Sequence, residues 1–422
     1  MNILVVPCGT EIGLEVQRSL KGVKNVKLFG LNSINDYSST VFENFYSGAP
    51  FVDETNFIDY LQEFVSKYQI THIIPAHDSA ALALSVNKEL FGDQVKIITS
   101  SAETNQICRS KKQTYKALGA VVSTPKSFQN ESDINESHLP LFVKPDVGQG
   151  SKGAFKVTAI EQLKNVNFAE NVVTEYLPGA EYTVDCFTDN KGDLLYSGPR
   201  IRNRIQNGIA VSTKTIADVD ETFSIFARKI NSVLCFKGAW FFQVKKNDDG
   251  ELVLMEAATR IAGSMSTNRV KGVNFAELSL YTHNDISVNV SPNDYQVNQE
   301  RALTNKYKIN VKYKHVYVDF DDCLVINDKV NEQLVSFLYK AINEGCGIYL
   351  VTRHEFDLTK SLAKYRLTGL FDEIFHITDG SAKSTVMTHS DAVFIDDSFK
   401  ERADVLDYGI PSFSVDCVEA LI

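Results

Sequence analysis

The chain has 422 residues, 44% of them apolar and 10% aromatic, which is enough to bury several cores and more than one ordinary domain needs. Forty-three lysines and arginines against 53 acidic residues give a net charge of −10, the wrong balance for a sequence-independent nucleic-acid binder. Seven scattered cysteines show neither metal-ligand spacing nor a disulfide framework, and no apolar run approaches the ~18 residues of a membrane span. With no basic flank or cleavage pattern in "MNILVVPC", a reduced, cytoplasmic protein with no nucleic-acid or membrane partner is expected.

"NILVVPCGTEIGLEVQRSL" is an apolar strand, a Gly9/Gly13 turn and an amphipathic helix; "VKLFGLNS", "ITHIIPAHDSAALALSV" and "KIITSS" continue the alternation. That order predicts a parallel sheet flanked by helices over residues 1–103. The full G-x-G-x-x-G is missing, so the first turn reads as close helix–sheet packing, with Cys8 a small packed residue.

From about residue 139 the texture changes to strands joined by Gly-rich or Asn/Asp-rich turns, an α+β unit over 104–290. In "VKPDVGQGSKGAFKV", Lys144 ends a strand and Gly148, Gly150, Ser151 and Gly153 follow in a loop able to close backbone N–H groups over phosphate oxygens. It is not a Walker loop, since no G-K-[ST] opens a helix. "VVTEYLPGAEYTVD" brings Glu175, Tyr176, Leu177 and Glu181, while "AWFFQV" and "LVLMEAATRIAGS" bring Gln243, Glu256 and Arg260. Gln243 and Glu256 read as lying on adjacent strands, with oxygens suited to one Mg²⁺. In "GPRIRNR", Arg200, Arg202 and Arg204 alternate along a strand and share one face, a site for an anionic substrate. Polar residues 291–310 read as a linker.

In this order the residues resemble the ATP-grasp ligases, in the branch similar to carbamoyl phosphate synthetase, from a Rossmann-like leading domain to a two-part nucleotide clamp. The resemblance implies ATP and Mg²⁺ as cofactors. Lys111 and Lys144 would contact phosphate, with Lys112 the alternative to Lys111, and the loop 148–153 would close over the phosphates. Glu175 to Leu177 would read adenine and Glu181 would hold the ribose. Gln243 and Glu256 would ligate magnesium, and Arg260 would steady the γ-phosphate and the acyl phosphate formed from it. "EAATR" departs from the family's E-x-N-P-R: Ala258 stands where an asparagine would bind a second magnesium.

From residue 311 strand–helix alternation resumes to 422. "VYVDFDDCLV" delivers Asp319 and Asp321 at a strand's end, a pairing suited to a nucleophile and an acid/base around Mg²⁺. "GIYLVTRH" ends at Thr352, "DGSAKSTV" holds Lys383, and "AVFIDDSFKERAD" ends in Asp396 and Asp397 with Glu401 beyond. This set resembles the haloacid dehalogenase (HAD) superfamily. By that likeness Asp319 is the nucleophile and Asp321 the acid/base, which also gives a backbone carbonyl to the metal. Thr352 and Lys383 would bind phosphate, and Asp397 would ligate Mg²⁺ with support from Asp396 and Glu401. Cys323 replaces the usual threonine, and the gaps between stations are too short for a cap domain. Of His72, His77, His354 and His376, only His354 reads as near chemistry.

The combined expectation is an α/β and α+β multidomain chain: Rossmann-like domain, ATP-grasp fold and an uncapped HAD-like Rossmannoid domain. Such a chain would join a carboxylate to an amine through an acyl phosphate and hydrolyse a phosphorylated metabolite, with a homodimer compatible with the sequence. The alternative expectation is a phosphatase whose ATP site is regulatory.

Overall fold

β1 (Asn2–Val6) is buried at four successive positions, Ile3 to Val6, as a strand covered on both faces must be. In the computed structural model, which describes residues 1–422 apart from 149 and 207, it is the middle of a parallel sheet. The order is β3-β2-β1-β4-β5, with β2 (Lys27–Leu31), β3 (Asn44–Tyr46), β4 (His72–Pro75) and β5 (Lys96–Ile97). Helices α1 (Glu11–Leu20), α2 (Phe57–Tyr68) and α3 (Asp78–Val86) follow strands, and α4 (Ala102–Arg109) and α5 (Lys111–Leu118) lead out of the sheet. Thr10 caps α1, accepting from the Gly13 N–H at 3.0 Å. A Cβ on Gly13 would sit 2.3 Å from the Cys8 carbonyl oxygen, so glycine is what lets the helix lie against the turn.

Two antiparallel sheets follow. The smaller has the order β6-β9-β7-β8, built from β6 (Ser127–Phe128), β7 (Leu141–Pro145), β8 (Phe155–Val157) and β9 (Asn171–Glu175). The larger, β14-β13-β10-β11-β12-β15, contains β10 (Glu181–Thr188), β11 (Leu194–Gln206), β12 (Ile209–Thr215), β13 (Gly238–Lys246), β14 (Leu252–Ala258) and β15 (Asn298–Glu300). β15 falls within the segment read as a linker: its polar sequence hides a short edge strand paired with β12. Helix α6 (Thr222–Asn231) covers one face, where Trp240 stacks on Phe236 at 3.9 Å and donates to the Thr188 hydroxyl at 2.8 Å. Helices α7 (Ser266–Arg269) and α8 (Phe275–His283) cover the other. There Phe241, Ala258, Phe275 and Leu280 share one core with Ile3, Val5 and Val16 of the leading sheet. That shared core makes Met1–Leu303 a single unit.

Thr304–Ile422 is a second unit. Its parallel sheet runs β20-β19-β16-β21-β22, with β16 (His315–Val318) central, and a small hairpin, β17 (Val325–Ile326) and β18 (Lys329–Val330), follows β16. The other strands are β19 (Gly347–Thr352), β20 (Glu373–His376), β21 (Ala392–Ile395) and β22 (Ser412–Phe413), interleaved with α9 (Glu332–Asn343), α10 (Leu358–Lys364) and α11 (Phe399–Asp407). Val316, Val318, Ile348, Leu350, Val393 and Ile395 fill its core. Among the described residues no helix is long and apolar enough to cross a membrane.

His283 ties α8 to the end of β5: its ring nitrogens lie 2.8 Å from the Ser279 carbonyl oxygen and 3.1 Å from that of Thr99. Burial pushes its pKa down from 6.5 to about 4, against the pull of both carbonyls. The unfolded chain therefore takes a proton first as pH falls, and stability present above pH 6.5 is lost on the way to about pH 4, by about 3 kcal/mol. Urea unfolding of the wild type and His283→Gln at pH 7.5 and 4.5 checks this: the gap between the two proteins is expected to narrow at the lower pH. An unchanged gap contradicts it.

Candidate functional site

Strand pairing builds the first site. Gln243 of β13 lies directly opposite Glu256 of β14, and the register shifts just after Gln243. Neighbouring β10 begins with Glu181, and β7 of the smaller sheet ends near Lys144. Lys111, Lys144, Gly148, Gly150, Ser151, Glu175, Tyr176, Leu177, Glu181, Arg202, Gln243 and Glu256 line one cavity between the two sheets. Gly153 does not line it but rests on the Pro145 ring. Residue 149 of the loop lies outside the described residues. Gly208 approaches the loop so closely that a Cβ on it would lie 2.3 Å from Gly150 backbone atoms.

The two adjacent lysines point in different directions. Lys111 Nζ reaches the Pro145 and Asp146 carbonyls at 3.0 and 3.2 Å beside the cavity, while Lys112 turns to the carbonyls of Phe168 and Ala169. Lys144 is buried, with Nζ 3.5 Å from the Met255 carbonyl. Desolvation pushes its pKa down to about 8, with Glu256 and Glu181 pulling the other way. An ammonium with so little compensation in a cavity fits an anionic ligand.

The arginines part company. Arg202 pairs with Glu181 and also donates to the Gln243 amide oxygen at 3.0 Å and the Gly208 carbonyl at 2.9 Å. Arg200 is buried in a two-bond pair with Asp185, at 2.9 and 3.1 Å, which Asn268 braces at 2.8 Å. Arg204 leaves that face, because the β11–β12 register shifts between Arg202 and Arg204, and it pairs with Glu300 in solvent.

A second cavity adjoins the first and shares Lys111, Arg202, Gln243 and Glu256. It runs from the start of α1 and α3 to Ala258, Arg260 and Arg301. Arg260 donates to Asp78 at 2.7 Å, and its Nε is buried with no hydrogen-bond partner among the described residues. The sequence reading missed Asp78, Arg109 and Arg301. Asp78 carries a readable signal, because it follows the carboxyl end of a parallel strand, where ligands of such sheets bind. Arg301 follows a three-residue strand that polarity concealed.

In the second unit, Asp319, Thr352 and Asp396 follow or end the neighbouring strands β16, β19 and β21. Lys383 Nζ lies 2.9 Å from Asp319 Oδ1 and 2.6 Å from Asp396 Oδ2. The first contact is an ion pair whose angle leaves Oδ1 without a hydrogen bond. Burial raises the Asp319 carboxyl to about 6 despite the lysine, while the two carboxylates raise the lysine. Thr352 Oγ1 is buried with no hydrogen-bond partner among the described residues. Asp319, Cys323 and Asp397 offer ligand atoms within 4.8 Å of one another, a donor set that fits a cation. Cys323 Sγ accepts from the Asp397 N–H at 3.1 Å, tying the two acidic loops together. Asp321 is half-exposed and pairs with buried His354. Glu401 is turned to Arg353 at 3.2 Å rather than to the acidic cluster.

Residues 167–306 match the model of a family described as ATP-grasp in the biosynthetic pathway with Ter operon. No curated protein matches the chain. Among solved structures, the biotin carboxylase domain of Hydrogenobacter thermophilus 2-oxoglutarate carboxylase, a dimer bound to MgADP, ADP and bicarbonate, is similar with a TM-score of 0.58 at 14% identity. That likeness covers 69% of this chain and 71% of the other. Staphylococcus aureus N5-carboxyaminoimidazole synthetase scores 0.55 at 17% identity, covering 68% and 78%. Bacillus licheniformis L-amino acid ligase scores 0.53 at 18% identity, covering 67% and 74%. The chain thus carries an ATP-grasp domain within a mixed α/β multidomain architecture.

Among the described residues Lys383 is the one cation between two buried carboxylates. Lys383→Met is expected to destabilise the second unit by about 3–5 kcal/mol, since it strands charge in the interior. Adding Asp319→Asn should recover part of that loss, because one acid then remains. Thermal or urea unfolding of the two single variants and the double variant measures the coupling; strict additivity contradicts the arrangement.

Proposed function

We propose that the chain is a bifunctional enzyme. Residues 1–303 would form an ATP-dependent carboxylate–amine ligase working through an acyl phosphate, and residues 311–422 a Mg²⁺-dependent HAD-type phosphohydrolase. The observation that carries the ligase reading is the convergence of Lys111, Lys144, Glu175, Tyr176, Leu177, Glu181, Gln243 and Glu256 on one cavity. The similar structures of the same fold include one bound to MgADP. In this reading Lys111, Lys144 and the loop 148–153 hold the triphosphate, Glu175 to Leu177 read the base, and Glu181 takes the ribose in exchange for Arg202. Gln243 and Glu256 hold Mg²⁺, which when bound screens the phosphate charge. The second cavity then receives the carboxylate and the amine. Arg260 stands at its wall to steady the transferred phosphoryl group, with Arg200 and Arg202 bordering it.

In the second unit, Asp319 attacks phosphorus, Asp321 protonates the departing oxygen and then deprotonates water, and Thr352 and Lys383 hold the phosphoryl oxygens. Asp319, the Asp321 carbonyl and Asp397 would hold Mg²⁺, with Asp396 acting through Lys383. The buried, unpartnered Thr352 hydroxyl beside the Asp319–Lys383–Asp396 cluster supports this reading. Having both units in one chain suggests that the ester is the ligation product or its precursor. A second reading, a phosphatase with a regulatory ATP site, draws on Ala258, which cannot ligate a metal, and on the Arg202 bond to Gln243.

Turnover separates the two readings. With ATP, Mg²⁺ and pooled carboxylates and amines, ADP formation is expected only when both acceptor classes are present. Glu256→Gln is expected to cut it at least about 100-fold. Asp319→Asn should abolish ester hydrolysis and leave ADP formation intact. Ester hydrolysis with no ADP under any pool favours the regulatory reading.

A further inference from the structure

We propose that His354 is a positioning residue for Asp321, holding the acid/base so that one carboxyl oxygen faces the departing group; this rests on the phosphohydrolase reading above. Asp321 lies on the loop after β16, and its side chain is 52% exposed, so nothing in its own burial selects a rotamer. His354, by contrast, has a side chain only 7% exposed. Its Nδ1 lies 3.0 and 2.9 Å from the two oxygens of Asp321. A carboxylate only accepts, so Nδ1 is the donor.

The imidazole is itself held by its neighbours, and so is the backbone that carries it. Nε2 lies 2.8 Å from the Ser361 hydroxyl on α10, the Phe320 ring packs edge-on at 4.9 Å, and His376 Nε2 donates to the His354 carbonyl at 2.7 Å. Ser361 and Phe320 thus hold the buried ring, His376 holds its backbone, and Nδ1 is left facing the half-exposed acid. With either oxygen able to take the Nδ1 proton donation, the other is left to carry the transferable proton.

The step served is balanced within the site. An Asp319 oxygen forms the bond to phosphorus, the ester P–O bond breaks, and the Asp321 proton goes to the leaving oxygen. Water then attacks phosphorus of the aspartyl phosphate and gives its proton to Asp321, the bond from phosphorus to the Asp319 oxygen breaks, and orthophosphate leaves with the Asp319 carboxylate restored. Only the first transfer depends on how basic the leaving group is, and that dependence is the readout.

The experiment measures kcat/KM of the intact protein with Mg²⁺ on substituted phenyl phosphates of graded leaving-group basicity. General-acid assistance is worth about 10²–10⁴-fold where the leaving group is poor. His354→Phe, which keeps the ring volume and removes the donor, is expected to lose about 100-fold on phenyl phosphate and less than about 3-fold on 4-nitrophenyl phosphate, steepening the slope. His354→Asn, whose amide donates from nearly the Nδ1 position, is expected to restore the shallow slope. If the Phe variant does not fold, Ser361→Ala frees the ring to turn and should steepen the slope in the same sense. A folded variant that loses the same factor across the whole series overturns the proposal while leaving the phosphohydrolase reading standing. A wild type inert on every ester overturns that reading and the proposal with it.

Discussion

The pairing of β13 with β14 is the constraint on which the first cavity depends. Side chains alternate faces along a strand, so a slip of one residue would turn Gln243 and Glu256 away from the cavity and bury them elsewhere. The register shift beside Gln243 aims that pair, and the same strand supplies the Met255 carbonyl that both Lys144 and the Tyr115 hydroxyl reach. Two residues beyond β14, Arg260 crosses to Asp78 at the start of α3. Clamp and leading sheet are therefore joined through the strand that lines the site, and the core they share holds that strand still.

Charge inside the protein is handled in two ways, and the difference bears on function. Arg200 is matched to Asp185, and Lys383 faces two acids, so its proton is held more firmly. Among the described residues Lys144 has no carboxylate in direct contact, and burial loosens its proton. A buried cation without a matching carboxylate is completed by an anionic ligand. Arg202 lies between: it holds Glu181 and Gln243 together, so a ligand arriving at either side chain must exchange partners with it.

Much of this was legible in the sequence, for physical reasons. Apolar runs ending in turn residues locate the strands, and the candidate side chains at strand ends, such as Lys144, Thr352 and Asp319, are visible as polar residues interrupting those runs. What pairing decides was not legible. Arg204 looked equivalent to Arg202 because alternation is a local rule, and the bulge that separates them belongs to two strands at once. β15 and Arg301 hid in a polar segment whose strand character comes only from its partner β12. Glu401 sat at a suggestive spacing from Asp397, yet Arg353, distant in sequence, claims it. His354 was singled out by position alone; its anchoring by Ser361 and His376 is tertiary.

Calorimetric titration of Mg-ATP into the intact protein tests the central claim most directly. One site per chain is expected, abolished or weakened at least about tenfold by Lys144→Met, since an ion-pairing phosphate contact is worth more than 1.4 kcal/mol in a buried cavity, and unaffected by Asp319→Asn. Binding that survives Lys144→Met unchanged, or that disappears with Asp319→Asn, would contradict the account.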